Sequence, residues 1–137
     1  MSTLIIYYSF TGNAKRLANR LAAELDADLA QVEDAAKAGK LKAFTTGCFK
    51  ALGGKAWPIT PLDVDIAAYE RTILIAPIWA GHVPPAVNSI WSLLPTGTAL
   101  EVKLVSGSGQ SNCREQLEAA LQARGCRLKG LEDIKAR

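Results

Sequence analysis

The sequence has a single histidine, His82, and three cysteines, Cys48, Cys113 and Cys126, with no Cys-x-x-Cys pair among them. A zinc site of the usual Cys/His kind is therefore excluded. An odd, widely spaced set of thiols predicts unpaired cysteines in a reducing compartment. No apolar run approaches the roughly 20 residues of a membrane span, and the longest, 72–79, is of strand length. The amino-terminal stretch places its basic residues after its apolar ones, the reverse of a secretory signal. Together these absences predict a cytoplasmic chain with no membrane partner. A large charge excess is missing too. The net charge of +3 is too small to make nucleic acid the default partner. The balance is uneven: Lys37, Lys40, Lys42, Lys50 and Lys55 lie between 35 and 62 with no acid among them. That stretch is either a solvated surface or a place to dock an acidic partner or a phosphorylated nicotinamide.

The chain has 137 residues, 49% of them hydrophobic and 21% charged, which fits one globular domain over 1–137. Residues 3–8 (TLIIYY) form a nearly continuous apolar run, the mark of a strand buried on both faces. Leu17, Leu21 and Leu25, with Ala18 and Ala22, put an apolar stripe on a helix over 14–25. A weak strand follows at 28–32. Glycines and prolines break up 33–68, where we expect a short helix near 46–52. Residues 72–76 (TILIA) are a further buried strand. Pro84-Pro85 opens a helix whose core face is Val87, Ile90, Trp91 and Leu94, stopped by Pro95. A strand at 99–105 precedes a helix from Asn112 to Ala123, with Asn112 and Glu115 spaced as a capping box. Gly125 ends that helix, and 126–131 is a fifth strand. The alternation β-α-β-(α)-β-α-β-α-β predicts a parallel sheet with helices on both faces.

In such a sheet ligands bind outside the carboxyl ends of the strands. Three loops leave those ends: 9–13, 77–83 and 106–110. They are rich in Gly, Ser, Thr and Asn and contain no carboxylate. Phospho-acceptor chemistry of the response-regulator type is thereby excluded. A P-loop is excluded because Gly12-Asn13-Ala14 replaces Gly-Lys-Ser/Thr. A small tyrosine phosphatase needs an arginine six positions after a cysteine, and positions 54, 119 and 132 are Gly, Ala and Glu. A dinucleotide-binding Gly-x-Gly-x-x-Gly is absent as well. The first loop offers hydroxyls (Ser9, Thr11), an amide (Asn13) and backbone N–H groups at a helix mouth, where the dipole favours an anion. Gly12 lets a ligand approach the backbone closely. Trp79 stands just past a buried strand, where an indole serves as one wall for a planar ligand or as a core aromatic. Ser106-Gly107-Ser108-Gly109 supplies a second flexible lining.

These loops together resemble the flavodoxin family. The resemblance rests on Ser9-Phe10-Thr11-Gly12-Asn13-Ala14 after the first strand, Ala76-Pro77-Ile78-Trp79-Ala80-Gly81-His82 after the third, and Val105-Ser106-Gly107-Ser108-Gly109 after the fourth. Residues 47–55 (GCFKALGGK) are similar to one branch of that family. The resemblance implies a doubly wound sheet of order 2-1-3-4-5 and non-covalent FMN. The phosphate would sit in 9–14 and the ring between the Trp79 and Ser106–Gly109 loops, with Ala80-Gly81 near the reactive edge and His82 beside it. The cofactor would carry the redox chemistry, so no acid–base or nucleophile residue is required.

The sequence departs from the family pattern in three ways. Ala14 replaces the usual hydroxyl, a loss of one hydrogen bond worth about 1 kcal/mol. The net charge is positive where electron-carrier flavodoxins are acidic. The chain ends at Arg137 without room for a further helix, and the sheet face beside the first helix is expected to expose apolar strand surface. That surface predicts a homodimer or another subunit on this face. The resulting expectation is an FMN-binding electron carrier acting between redox proteins or small acceptors. The alternatives are a small FMN-dependent NAD(P)H/quinone-type reductase and a cofactor-free interaction module.

Overall fold

The structure is a computed structural model, and it describes residues 2–9, 12–33, 59, 62, 64–79 and 82–135. The short helix expected near 46–52 and the lysine-rich stretch 37–55 lie outside these residues. Five strands, β1 (Thr3–Tyr7), β2 (Asp28–Gln31), β3 (Arg71–Pro77), β4 (Ala99–Ser106) and β5 (Arg127–Lys135), form one sheet in the order β2-β1-β3-β4-β5. Every neighbouring pair is parallel. The helices are α1 (Asn13–Leu25), α2 (Pro85–Asn88) and α3 (Arg114–Ala123). The fold is the flavodoxin-like α/β arrangement that the sequence predicts, in the predicted strand order.

β1 and β3 are buried because nearly every side chain in them is apolar and both sheet faces are covered. Ile5, Ile73 and Ile75 pack under α1 with Ala14, Leu17 and Ala18. Leu4, Ile6, Leu74 and Ala76 pack on the opposite face with Val87, Ile90, Trp91 and Leu94, and with Leu117 and Leu121 of α3. Side chains alternate between faces along a strand, so β4 sends Leu100, Val102 and Leu104 to that second core. Glu101, Lys103 and Val105 project to the α1 side.

Three elements differ from their predicted form. The expected helix after Pro84 is a four-residue α-helix followed by a 3₁₀ turn over Trp91–Leu93. Local side-chain bonds compete with the helical ladder there: Trp91 Nε1 donates to Asn88 Oδ1 at 3.1 Å and Ser92 Oγ to the Ser89 carbonyl at 3.3 Å. The predicted buried face survives, because packing rather than helix type sets it. The expected capping box does not form: fully buried Cys113 occupies the cap position of α3, with no side-chain cap. β5 runs four residues past its predicted end. Its charges and Gly130 hide it in the sequence, and a register shift at Leu100/Glu101 absorbs one extra residue. Such charges are usual on an edge strand.

The sheet face beside α1 is more polar than expected over part of β4 and β5, where it carries ion pairs, and is apolar at their ends, where Val105 and Ile134 lie. Arg71 donates through two nitrogens to the Glu101 carboxylate at 2.6 and 2.9 Å, and Lys103 meets Glu132 at 2.7 Å. Val105 on this face is buried, and the exposed Leu29 lies on the same face at its far β2 edge, in register with Ile5.

The Arg71 guanidinium holds the Glu101 carboxyl below its ordinary 4.5, outweighing the opposite effect of burial. A carboxyl lowered in this way stabilises the fold while it is ionised. Its contribution is complete above the unfolded-state value and is lost as pH falls through the native one. Glu101→Gln removes that contribution. The urea midpoints of wild type and variant are therefore expected to differ near neutrality and to converge as pH falls from about 6 to about 3.

Candidate functional site

The parallel strands bring the loops after β1, β3 and β4 to one edge of the sheet. The registers Tyr7 to Ile75 and Pro77 to Val105 fix those strand ends side by side. Predicted site residues Ser9, Gly12, Asn13, Ala14, Pro77, Ile78, Trp79, His82, Ser106, Gly107, Ser108 and Gly109 all lie along this edge. Phe10, Thr11, Ala80 and Gly81 lie outside the described residues.

The turn into α1 is built around Gly12. Its φ of +101° lies in the left-handed region, where a side chain is strained. Its N–H donates to Ser9 Oγ at 3.0 Å, and its carbonyl accepts from the Arg16 N–H at 3.0 Å. Among the described residues no side chain caps the helix, which leaves first-turn N–H groups directed out of its mouth. Ala14 is buried against the sheet, so a hydroxyl there would point into the core on the α1 side.

The sequence reading missed Arg16. Its guanidinium donates to Asn13 Oδ1 and reaches over Gly12, whose added Cβ would lie 3.5 Å from Arg16 Nη1. A cation therefore stands at a mouth that the loop residues alone would leave neutral. The signal was legible: the first turns of α1 carry Lys15 and Arg16, and the first turn has no acid. That is the reverse of what the dipole favours.

After β3, Trp79 and His82 exchange backbone hydrogen bonds of 2.7 and 3.0 Å, which brings the two residues together. Trp79 is only 9% exposed and belongs to the core. The edge of Tyr8 meets it at a ring separation of 6.1 Å and an interplanar angle of 69°. The indole is thus a buried aromatic at the edge of the site and does not stand as an open wall. His82 Nδ1 lies 2.8 Å from Gln116 Oε1, a contact that ties this pair to α3.

The Ser106–Gln110 loop is organised by its own hydroxyls. Gly109 N–H donates to Ser106 Oγ at 3.0 Å, and Gln110 N–H to Ser108 Oγ at 3.2 Å. Gly109 has φ +74° and its added Cβ would sit 3.1 Å from Lys135 Cβ, so the loop packs tightly on the end of β5. Below the site, burial pushes the Cys113 thiol up from its ordinary value, with Ser111 acting weakly against that. A protonated, buried thiol is unreactive. Cys113 and Cys126 are both free, and among the described residues no cluster suited to a metal occurs.

No protein-family model matches this sequence, and no curated protein matches it significantly. Solved structures do. A flavoprotein from Lactobacillus acidophilus NCFM, in complex with FMN, superposes with a TM-score of 0.77 at 21% identity, over 95% of this chain and 91% of its own. The NMR structure of the apo-form of the flavoprotein from the same organism gives 0.71 at 19% identity, over 96% and 92%. Oxidised flavodoxin 2 from Bacillus cereus gives 0.58 at 20% identity, over 99% and 85%. The chain has a flavodoxin-like fold.

The residues present suit the phosphate end of FMN. An anion at the α1 mouth would meet uncapped N–H groups, a glycine that leaves room for it, and the Arg16 guanidinium. Half-buried Pro77 and Ile78, with the Tyr8–Trp79 pair behind them, supply the apolar border that a flavin ring needs. Gly12→Ala is expected to cost about 1–2 kcal/mol of stability through left-handed strain alone. Urea unfolding of the ligand-free protein measures this cost directly.

Proposed function

We propose that this chain is an FMN-binding redox protein that passes electrons between partners. The observation that carries this reading is the uncapped mouth of α1, with Arg16 beside it, at the same sheet edge as the Trp79–His82 pair and the Ser106 loop. FMN, when bound, supplies the one- and two-electron chemistry. The chain's residues hold and surround it. Gly12 keeps the first loop close to the phosphate, and Arg16, positioned by Asn13, balances its charge. Ser9 and Ser106 each accept one backbone N–H bond, which leaves the hydroxyl proton to donate to a ligand. Trp79 and Tyr8 exclude water beneath the ring, and the bond to Gln116 fixes His82 at its rim.

An FMN complex of a protein with this fold supports the reading. So does the absence of carboxylates from all three loops, since a shuttle needs no acid–base group. Among the described residues no helix is long and apolar enough to cross a membrane. The free thiols of Cys113 and Cys126 suit the cytoplasm, where we place the protein.

Titration of the apo-protein with FMN, followed by quenching of flavin fluorescence, tests the proposal. One FMN per chain is expected. Arg16→Gln should raise Kd about tenfold, the loss of one charge-assisted contact of about 1.4 kcal/mol. A chain that takes up no FMN overturns the reading.

A further inference from the structure

A groove of about 730 Å³ runs along the sheet face between α1 and the ends of β4 and β5. It adjoins the loop edge and shares Asn13 and Arg16 with the α1 mouth, and it has a consistent chemistry. Its floor is apolar, made by Leu17, Val105 and Ile134, and its rim is cationic, made by Arg16, Arg20 and Lys135. Arg16 and Arg20 are one helical turn apart, about 6 Å along α1. The two ion pairs further along the same face are internally neutral: Glu101 is engaged by Arg71 and Glu132 by Lys103. Among the described residues no carboxylate pairs with Arg16, Arg20 or Lys135. The ion pairs balance Glu101 and Glu132, and the cations around the groove have no such acidic partner among the described residues.

We propose that this groove docks an acidic amphipathic segment of a protein partner, with apolar side chains on the Leu17–Val105–Ile134 floor and carboxylates against the cationic rim. Charge complementarity selects this occupant. A second copy of the chain would bring the same three cations to a symmetric interface, on top of its own net charge of +3. A small free anion would have no use for the apolar floor. Single-stranded nucleic acid needs aromatic faces for its bases, and none lines the groove. An acidic segment seated here would lie next to the α1 mouth, which would hold its parent protein close to the loop edge. The inference meets the proposed function only at Asn13 and Arg16, which the groove shares with the α1 mouth; Arg20, Lys135 and the apolar floor belong to the groove alone.

The probe is a synthetic amphipathic peptide of Glu and Leu, about fourteen residues long, titrated into the isotopically labelled full chain and followed by backbone amide shifts. The expected shifts are confined to residues 13–20, 105 and 134–135, with and without FMN present. Raising salt to about 0.3 M should weaken binding. The double variant Arg20→Gln/Lys135→Gln should weaken it at least tenfold, while Arg20→Lys largely retains it. Both positions are exposed, and thermal unfolding confirms that the variants fold. The proposal is overturned by any one of four results: absent or scattered shifts, unchanged affinity of the double variant, equal binding of a Lys-for-Glu peptide or of single-stranded DNA, or a dimer in sedimentation that the double variant leaves intact.

Discussion

The pairing of β1 with β3 is the constraint on which the rest of this molecule depends. Leu4, Ile5 and Ile6 face Thr72, Ile73 and Leu74 in parallel register, and the apolar residues among them are completely buried. A strand buried on both faces must be covered on both faces. That requirement places α1 on one side and the α2 and α3 segments on the other. Parallel direction then forces each connection back across the sheet, so the loops after β1, β3 and β4 emerge at one edge. The chemistry of the site follows from where these strands end.

The two faces meet the demand for cover differently. One is closed by hydrocarbon, with Leu100, Val102 and Leu104 under Leu117 and Leu121. The other is covered by α1 among the described residues, and beyond its reach β4 presents Glu101 and Lys103. Their pairing with Arg71 and Glu132 replaces packing with charge-assisted hydrogen bonds. The Arg71 contact is bidentate, the geometry that gives such pairs most of their strength. Exposed pairs contribute little individually. Their larger effect is to occupy Glu101, Lys103 and Glu132 on this part of the sheet. Around the groove that internal balance stops, and cations with no acidic partner among the described residues surround an apolar floor.

Much of this was legible in the sequence, because burial on both faces leaves a coarse pattern. TLIIYY and TILIA could hardly be anything but central strands, and the Leu17–Leu21–Leu25 spacing gave α1. The core face Val87, Ile90, Trp91 and Leu94 was read correctly even though the helix carrying it was not, because spacing reports which residues turn inward. It does not report whether Asn88 and Ser89 will divert the backbone. The capping box at Asn112 failed for a related reason: local capping is worth about 1 kcal/mol, and burial of Cys113 is worth more. β5 was foreshortened because an edge strand needs no apolar run. The ion pairs on the α1 face were invisible, since Arg71, Glu101 and Glu132 come from three strands and no local pattern links them.

Arg16 is the instructive case, because its meaning lies in a mismatch. A cation in the first turns of a helix works against the dipole by about 0.3–1 kcal/mol, and α1 carries two with no acid to offset them. Natural sequences concentrate such local conflicts at functional sites, and this one stands at a mouth whose N–H groups no side chain caps among the described residues. A dianionic phosphate there would resolve it, since it would complement the dipole, take up the amides and pair with the guanidinium. The same conflict explains how Ala14 can stand where a hydroxyl is usual. With a full positive charge beside the mouth, the missing hydrogen bond would be a small part of what holds an anion there, and Ala14 packs into the core instead.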